Sequence, residues 1–326
     1  MLNSYGAGSW KLVIRREADG IHILRAETAD ETAVLPDEID GQPVVALEHH
    51  ALAAGQRPTE GETLELFGAG AGTAGADNTC LRHLGLPAGL RQVGRYAFFN
   101  CRNLQSLMLA DSLQEIAAGA FMNCRDLNRI VIRPRSAEHG RSLFLLANEF
   151  SGELTAELLG REGETAAKLV FPAYYEDYEE NSAAHHFELN ISGGGFQYRA
   201  AFREGTLNLA DFDARWPAFL FAEHDEGSAL RLAWYRLRYP WELSAAAELQ
   251  YLNYCSAHST ELLPMILAER DLPGFRSILP RLKAERPALE AALEAARRLN
   301  LTEATALLLQ QLQQQGNSGR RKVFEF

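Results

Sequence analysis

The chain has 326 residues, 47% of them apolar and 23% charged, with 32 basic against 43 acidic side chains and a net charge of −11. Such a length and balance suit a folded protein of two or three domains. They exclude a basic phosphate-binding stripe, since Arg320-Arg321-Lys322 is the one short basic run, so nucleic acid is not expected as a partner.

No apolar run approaches the ~20 residues of a membrane span. Met1 to Trp10 lacks a basic segment followed by an apolar one, so it does not read as a signal peptide. Both points lead to the expectation of a cytoplasmic protein with no membrane partner. Four cysteines are too few for a disulfide framework in a chain this long.

The first expected element is a β-hairpin. Lys11 to Ile14 and Ile21 to Arg25 alternate around Ala18-Asp19-Gly20, the pattern of two half-buried strands and a tight turn. It reads as an N-terminal cap over residues 1–33. Leu35-Pro36, Ile39, Leu47 and Ala51-Leu52 then form a degenerate unit of the repeat described below.

An insertion follows over residues 53–79. It holds a candidate strand, Thr63 to Phe67, and the motif Gly70-x-Gly72-x-x-Gly75. A dinucleotide fingerprint needs a helix straight after the glycines, because the helix N-terminus holds the pyrophosphate. No helical pattern follows here, so the segment reads as an inserted loop and no cofactor is expected.

Next comes an internal repeat. Leu81-x-x-Leu84-x-Leu86 recurs as Leu104-x-x-Leu107-x-Leu109 and as Leu127-x-x-Ile130-x-Ile132, a period of 23 residues (81, 104, 127). Leu90-x-x-Val93-x-x-x-Ala97-Phe98-x-x-Cys101 recurs in step as Leu113-x-x-Ile116-x-x-x-Ala120-Phe121-x-x-Cys124. A period in this range marks a solenoid, whose units bury their apolar faces against their neighbours. The Leu-x-x-Leu-x-Leu half is expected as a strand in a parallel ladder, and the Ala-Phe-x-x-Cys half as a short helix or turn behind it. Phe98 and Phe121 should stack. Cys101 and Cys124 should lie one above the other, as two buried thiols or as a disulfide that the spacing allows. Phe144 and Ala147 continue the period (121 + 23, 124 + 23), and Glu153 interrupts the strand pattern, so the solenoid is expected to end near Phe150.

Alternation along the strands points His83, Ser106, Met108, Arg129, Val131 and Arg133 outward. Met108 and Val131 are apolar where water is expected. They mark either a partner-binding strip or a patch that another part of the same chain covers.

Leu86-Pro87, Val93-Gly94, Ala97-Phe98, Cys101 and Leu104, with their counterparts one unit later, resemble the BspA-like leucine-rich repeat of bacterial proteins. Ile39-Asp40-Gly41-Gln42-Pro43-Val44 is similar to the first unit of such proteins. The resemblance covers residues 34–150 and implies a binding solenoid. It also admits a surface adhesin, as many BspA-like proteins are.

Residues 151–226 lose the period and read as a small α+β module. Leu154 to Leu159 and Ala167 to Phe171 are expected as strands around Arg161–Glu164. His186 to Ile191 and Phe196 to Phe202 are expected as a second pair around Gly193-Gly194-Gly195. Glu176 to Glu180 lie in a run of acids and tyrosines that reads as a solvated loop, without the spacing of a calcium loop. With Arg199 or Arg203, those carboxylates would be the site of a rival reading, a hydrolase or transferase.

His49-His50 and His185-His186 are adjacent pairs, whose side chains point apart. No zinc spacing, nucleophile elbow or P-loop occurs, so no metal is expected. Cys255 and His258 are three apart on a helical pattern, and structural neighbours are expected there.

Residues 227–315 read as helices. One carries Leu230 to Leu237. Ser244 caps Ala245 to Tyr254, Leu262 to Ala268 follow, and Asp271 caps a helix with Pro273 in its first turn. Ala288 to Leu299 and Glu303 to Leu312 flank Thr302, expected as an N-cap. Ala295-Ala296-Arg297-Arg298-Leu299-Asn300 and Glu303-Ala304-x-Ala306-Leu307-Leu308-Leu309 resemble the helix pair of an ankyrin repeat. Residues 316–326 read as a disordered tail. The fold class expected is mixed α and β: a short leucine-rich-repeat solenoid, an α+β module and a helical stack. The function expected is non-enzymatic protein–protein interaction or scaffolding.

Overall fold

A computed structural model describes residues 8–55, 59–67, 77–134, 140–181 and 186–320. The chain divides into two compact units, Met1–His224 and Asp225–Phe326.

The first unit opens with a hairpin, β1 (Trp10–Glu17) and β2 (Gly20–Glu27), paired antiparallel. Trp10, Leu12 and Ile14 are buried on one face of β1, as a period-2 pattern demands. Then come β3 (Thr32–Val34), β4 (Glu38–Ile39) and β5 (Gln42–Leu47). The inserted strand β6 (Glu62–Leu66) returns to the free edge of β1 and pairs antiparallel. The glycine motif Gly70-x-Gly72-x-x-Gly75 lies outside the described residues. Asn78, buried at φ 59, accepts from the Thr28 amide and donates to the carbonyls of Ala26 and Leu52. One side chain thus ties the hairpin to the first turn of the solenoid with its polar atoms satisfied.

The repeats supply β7 (His83–Gly85), β8 (Gln92–Val93), β9 (Ser106–Ala110), β10 (Glu115–Ile116) and β11 (Arg129–Arg133), followed by helix α1 (Arg141–Ala147), β12 (Leu154–Leu159) and β13 (Thr165–Phe171). β7 to β11 alternate between two sheets, and β12 and β13 extend the first. One runs β13-β12-β11-β9-β7-β3 and the other β10-β8-β5-β2-β1-β6. In the first, β3, β7, β9, β11 and β12 are parallel, and Ala33, Leu84, Leu107, Ile130 and Ala156 form an inward lane, each at most 2% exposed.

The Ala-Phe-x-x-Cys halves form turns. Phe98 and Phe121 stack at 4.8 Å with rings 7° from parallel. Cys101 and Cys124 are free thiols, donating to the Leu52 and Phe98 carbonyls at 3.1 Å. Burial pushes the Cys101 thiol up to about 12 and raises Cys124 as well, so both stay protonated and unreactive.

The solenoid does not stop near Phe150. Strand β12 continues the ladder, with Ile130 opposite Ala156, a step of 26 (156 − 130) where the period is 23. The three added residues accommodate α1. The ring that packs on Phe121 belongs to Phe150, at 5.2 Å and tilted, whereas Phe144 packs on Phe202.

Strands β14 (Tyr175–Asn181) and β15 (His186–Ser192) form an antiparallel hairpin. The acidic run is therefore a strand and not a loop. Phe196–Arg199 is a helical turn, α2, and not a strand. It is followed by β16 (Phe202–Arg203), β17 (Thr206–Leu207), α3 (Leu209–Ala214) and α4 (Trp216–Phe221).

The second unit holds α5 (Glu226–Arg238), α6 (Ala245–Ala257), α7 (Ser259–Ala268), α8 (Leu272–Ile278), α9 (Arg286–Arg298) and α10 (Thr302–Arg320). Asp225, Ser244 and Asp271 accept from the amides of Ser228, Ala247 and Gly274, the N-cap role for which their short side-chain oxygens suit them. Asp271 also takes a two-pronged bond from Arg238 at 2.6 and 3.1 Å. Thr302 is the first residue of α10, so it lies inside the helix and not at its cap. The helix runs to Arg320, into the stretch expected as tail. Among the described residues, no helix is long and apolar enough to cross a membrane.

Candidate interaction surface

The outward face of the first sheet is built by register. Thr32, His83, Ser106, Arg129 and Thr155 stand side by side, and Val34, Gly85, Met108, Val131 and Glu157 form the next lane. In the first lane His83 and Arg129 are exposed and Ser106 is half-buried. His83 Nδ1 and Ser106 Oγ are hydrogen-bonded at 2.8 Å.

In the second lane Met108 is 38% exposed. Val34 folds over Gly85, where a Cβ would come within 2.9 Å of the Val34 Cγ1. A side chain there would force Val34 to shift. Val131 does not face water; it is 5% exposed. It points outward, but this short branched side chain stands between the longer Met108 and Glu157, on strands only ~4.8 Å apart. Arg133 is half-buried at the end of β11. The face thus brings together His83, Ser106, Met108 and Arg129, and withdraws Val131.

Glu157 is the residue that sequence reasoning missed. It accepts from Arg129 at 2.7 Å and from the Thr165 hydroxyl at 2.6 Å. Burial acts first and works to raise its carboxyl, but the Thr165 and Arg129 hydrogen bonds and the Arg129 and Lys168 charges outweigh it, leaving it below the ordinary value of 4.5. Had β12 been placed in the ladder, the register with Val131 would have revealed this acid.

A depressed folded value means that Glu157 contributes stability above pH 4.5 and loses it as pH falls through the folded value. The urea midpoint of Glu157→Gln should accordingly lie below that of the parent at pH 7, with the gap closing towards pH 3. A gap independent of pH would exclude a contribution from the ionised carboxylate.

Among the described side chains, neither Arg199 nor Arg203 pairs with Glu176 or Asp177. Arg199 is buried and donates to backbone carbonyls. Arg203 is bound to Asp211 at 2.6 and 2.8 Å. Glu176 and Asp177 are exposed on β14. Burial pushes the Cys255 thiol up to about 12, while His258 stacks on Tyr254 at 4.1 Å and bonds its carbonyl. The His49 and His50 rings meet edge to face, and His50 stacks on Tyr96. Among the described residues, no three His, Cys, Asp or Glu side chains gather as a metal site.

Residues 76–151 match the family model described as BspA type leucine-rich repeat region (6 copies), so this stretch is a BspA-type leucine-rich repeat region. The crystal structure of a leucine-rich repeat protein of T. pallidum is 27% identical over 39% of this chain and 52% of that chain, with a TM-score of 0.29. The chain spans about half the length of that protein. No curated protein matches the chain.

Proposed function

We propose that the BspA-type repeat region is a non-enzymatic recognition platform for another protein, in a chain that works as a scaffold inside the cell. Leucine-rich repeats in general mediate protein–protein contacts, and their extended sheets offer a surface in place of a closed site. The observation that carries the reading is the row His83, Ser106 and Arg129 with Met108 beside it, held in register over three repeat strands by an apolar lane at most 2% exposed. A polar row around one exposed apolar side chain on rigid strands has the composition of a contact patch. The module at 151–226 and the ankyrin-like helices at 227–315 would carry further contacts.

The test uses the full chain. Parent protein and the double variant His83→Glu, Met108→Glu are each crosslinked in lysate of the source cells and their captured proteins compared. The variant should lose what the parent captures while its melting temperature stays within a few degrees, as surface substitutions allow. Met122→Glu, at an exposed site on the turn after Phe121 and outside the row, should capture as the parent does. Identical capture by the double variant would overturn the reading.

A further inference from the structure

Away from the ladder face, a surface cavity of about 310 Å³ opens among the loops that lead into β7 and β9. Its lining includes Gly55, Asp77, Thr79, Asn100, Arg102 and Asn103, which bring it a carboxylate, a guanidinium and two amides. The Thr79 hydroxyl and amide both donate to Asp77 Oδ1, at 2.6 and 3.3 Å. The hydroxyl bond, ahead of burial, is the main reason this carboxyl lies below its ordinary range. The Arg25 charge also acts on this carboxylate, but among the described residues neither Asp77 nor Arg102 makes an ion pair.

The amides are half used. Asn103 donates its Nδ2 to the Thr79 carbonyl at 2.7 Å, which leaves its Oδ1 as an acceptor. Asn100 accepts at Oδ1 from Asn123 at 2.8 Å, which leaves its Nδ2 as a donor. Gly55, at φ 94, has nothing within 4 Å of where a Cβ would stand, so this wall is bare backbone.

The period explains why the cavity is chemically distinct. Adding 23 to Asp77 gives Asn100 and then Asn123, and adding 23 to Thr79 gives Arg102 and then Arg125. At these two register positions an acid of one loop and a cation of the next, Asp77 and Arg102, both line the cavity, whereas one unit on the corresponding pair is Asn100 and Arg125. We propose that this cavity binds a small dipolar ligand of the α-amino-acid class, its carboxylate on Arg102 and the Asn100 amide, its ammonium on Asp77 and the Asn103 oxygen. Each charged group of the cavity then receives the opposite charge, in the paired form that makes charge-assisted hydrogen bonds strong. The volume lies at the small end for ligand pockets, which fits a molecule of that size. A sugar would meet no aromatic ring among the lining residues.

The test is a titration of the full chain with L-alanine, followed through the side-chain amide resonances of Asn100 and Asn103. Propionate, isopropylamine and glucose are the comparison probes. L-Alanine should saturate the shifts, and propionate and isopropylamine should each bind at least about tenfold more weakly, the cost of one charge-assisted bond. Asp77→Asn and Arg102→Gln should each weaken L-alanine by a similar factor while the chain stays folded. The proposal is overturned if L-alanine causes no shift up to about 10 mM, a concentration equivalent to under 3 kcal/mol of binding. It is equally overturned if glucose binds more tightly, or if either variant binds as the parent does.

Discussion

Phe98→Ala should destabilise the repeat region by about 3–5 kcal/mol, the range for removing a buried aromatic ring. Phe98 is 0% exposed and stacks on Phe121 in a nearly parallel pair, a geometry that adds to the area term. Its amide also donates to the Ala120 carbonyl at 2.8 Å, so ring and backbone join the same two turns. Each solenoid unit is stabilised by its neighbours. A hole at this position therefore weakens the contact on both sides. Urea unfolding followed by circular dichroism measures the loss. Met122→Ala is the control, since Met122 is 51% exposed one position along the next turn, and it should stay within about 0.5 kcal/mol. A loss below about 1 kcal/mol for Phe98→Ala would mean that the stack is not part of the stabilising core.

The repeat was legible because inward positions recur with the same apolar residue types at the same spacing. The conformation of its second half was open between helix and turn. The backbone decides it: Tyr96 and Asn100 have φ of 57° and 62°, and Gly119 and Asn123 repeat this one unit on at 69° and 65°. Left-handed residues four apart cannot sit in a right-handed helix, and the asparagines and glycine are the residues that tolerate the conformation.

Beyond β11 the reading by period failed, because α1 lengthens the step and moves every later residue out of phase. Composition misled at Glu176 to Glu180. Charge suggested a loop, yet the tyrosines beside those acids suit a strand, and β15 supplies its partner. Val131 shows a different limit: alternation gives the direction of a side chain, but exposure depends on the height of its neighbours. The cavity around Asp77 was invisible for the same reason, since it depends on which loops come to lie side by side.

Arg199 carries the other large expected effect. Arg199→Met should cost about 3–5 kcal/mol, because truncation strands buried acceptors instead of removing a complete pair. The side chain is 5% exposed. Its Nη1 donates to the carbonyls of Pro172 and Gly195, and its Nη2 to those of Phe150 and Gly152 at 3.1 and 2.9 Å. The guanidinium also lies 5.7 Å from the centre of the Phe171 ring and 5.1 Å from that of Tyr174. Burial lowers it to about 10, so it remains charged at neutral pH. One residue thus joins the segment before β12, the end of β13 and the start of α2. Arg199→Lys should recover little, since an ammonium presents its donors from one point and cannot span four carbonyls as a planar fork does. Hydrogen exchange provides a local readout: amides of β12, β13 and α2 should lose protection in Arg199→Met, while those of α5 to α10 keep theirs. If Arg199→Met unfolds within about 1 kcal/mol of the parent, or if Arg199→Lys restores full stability, the carbonyl cluster is not what holds this module to the end of the ladder.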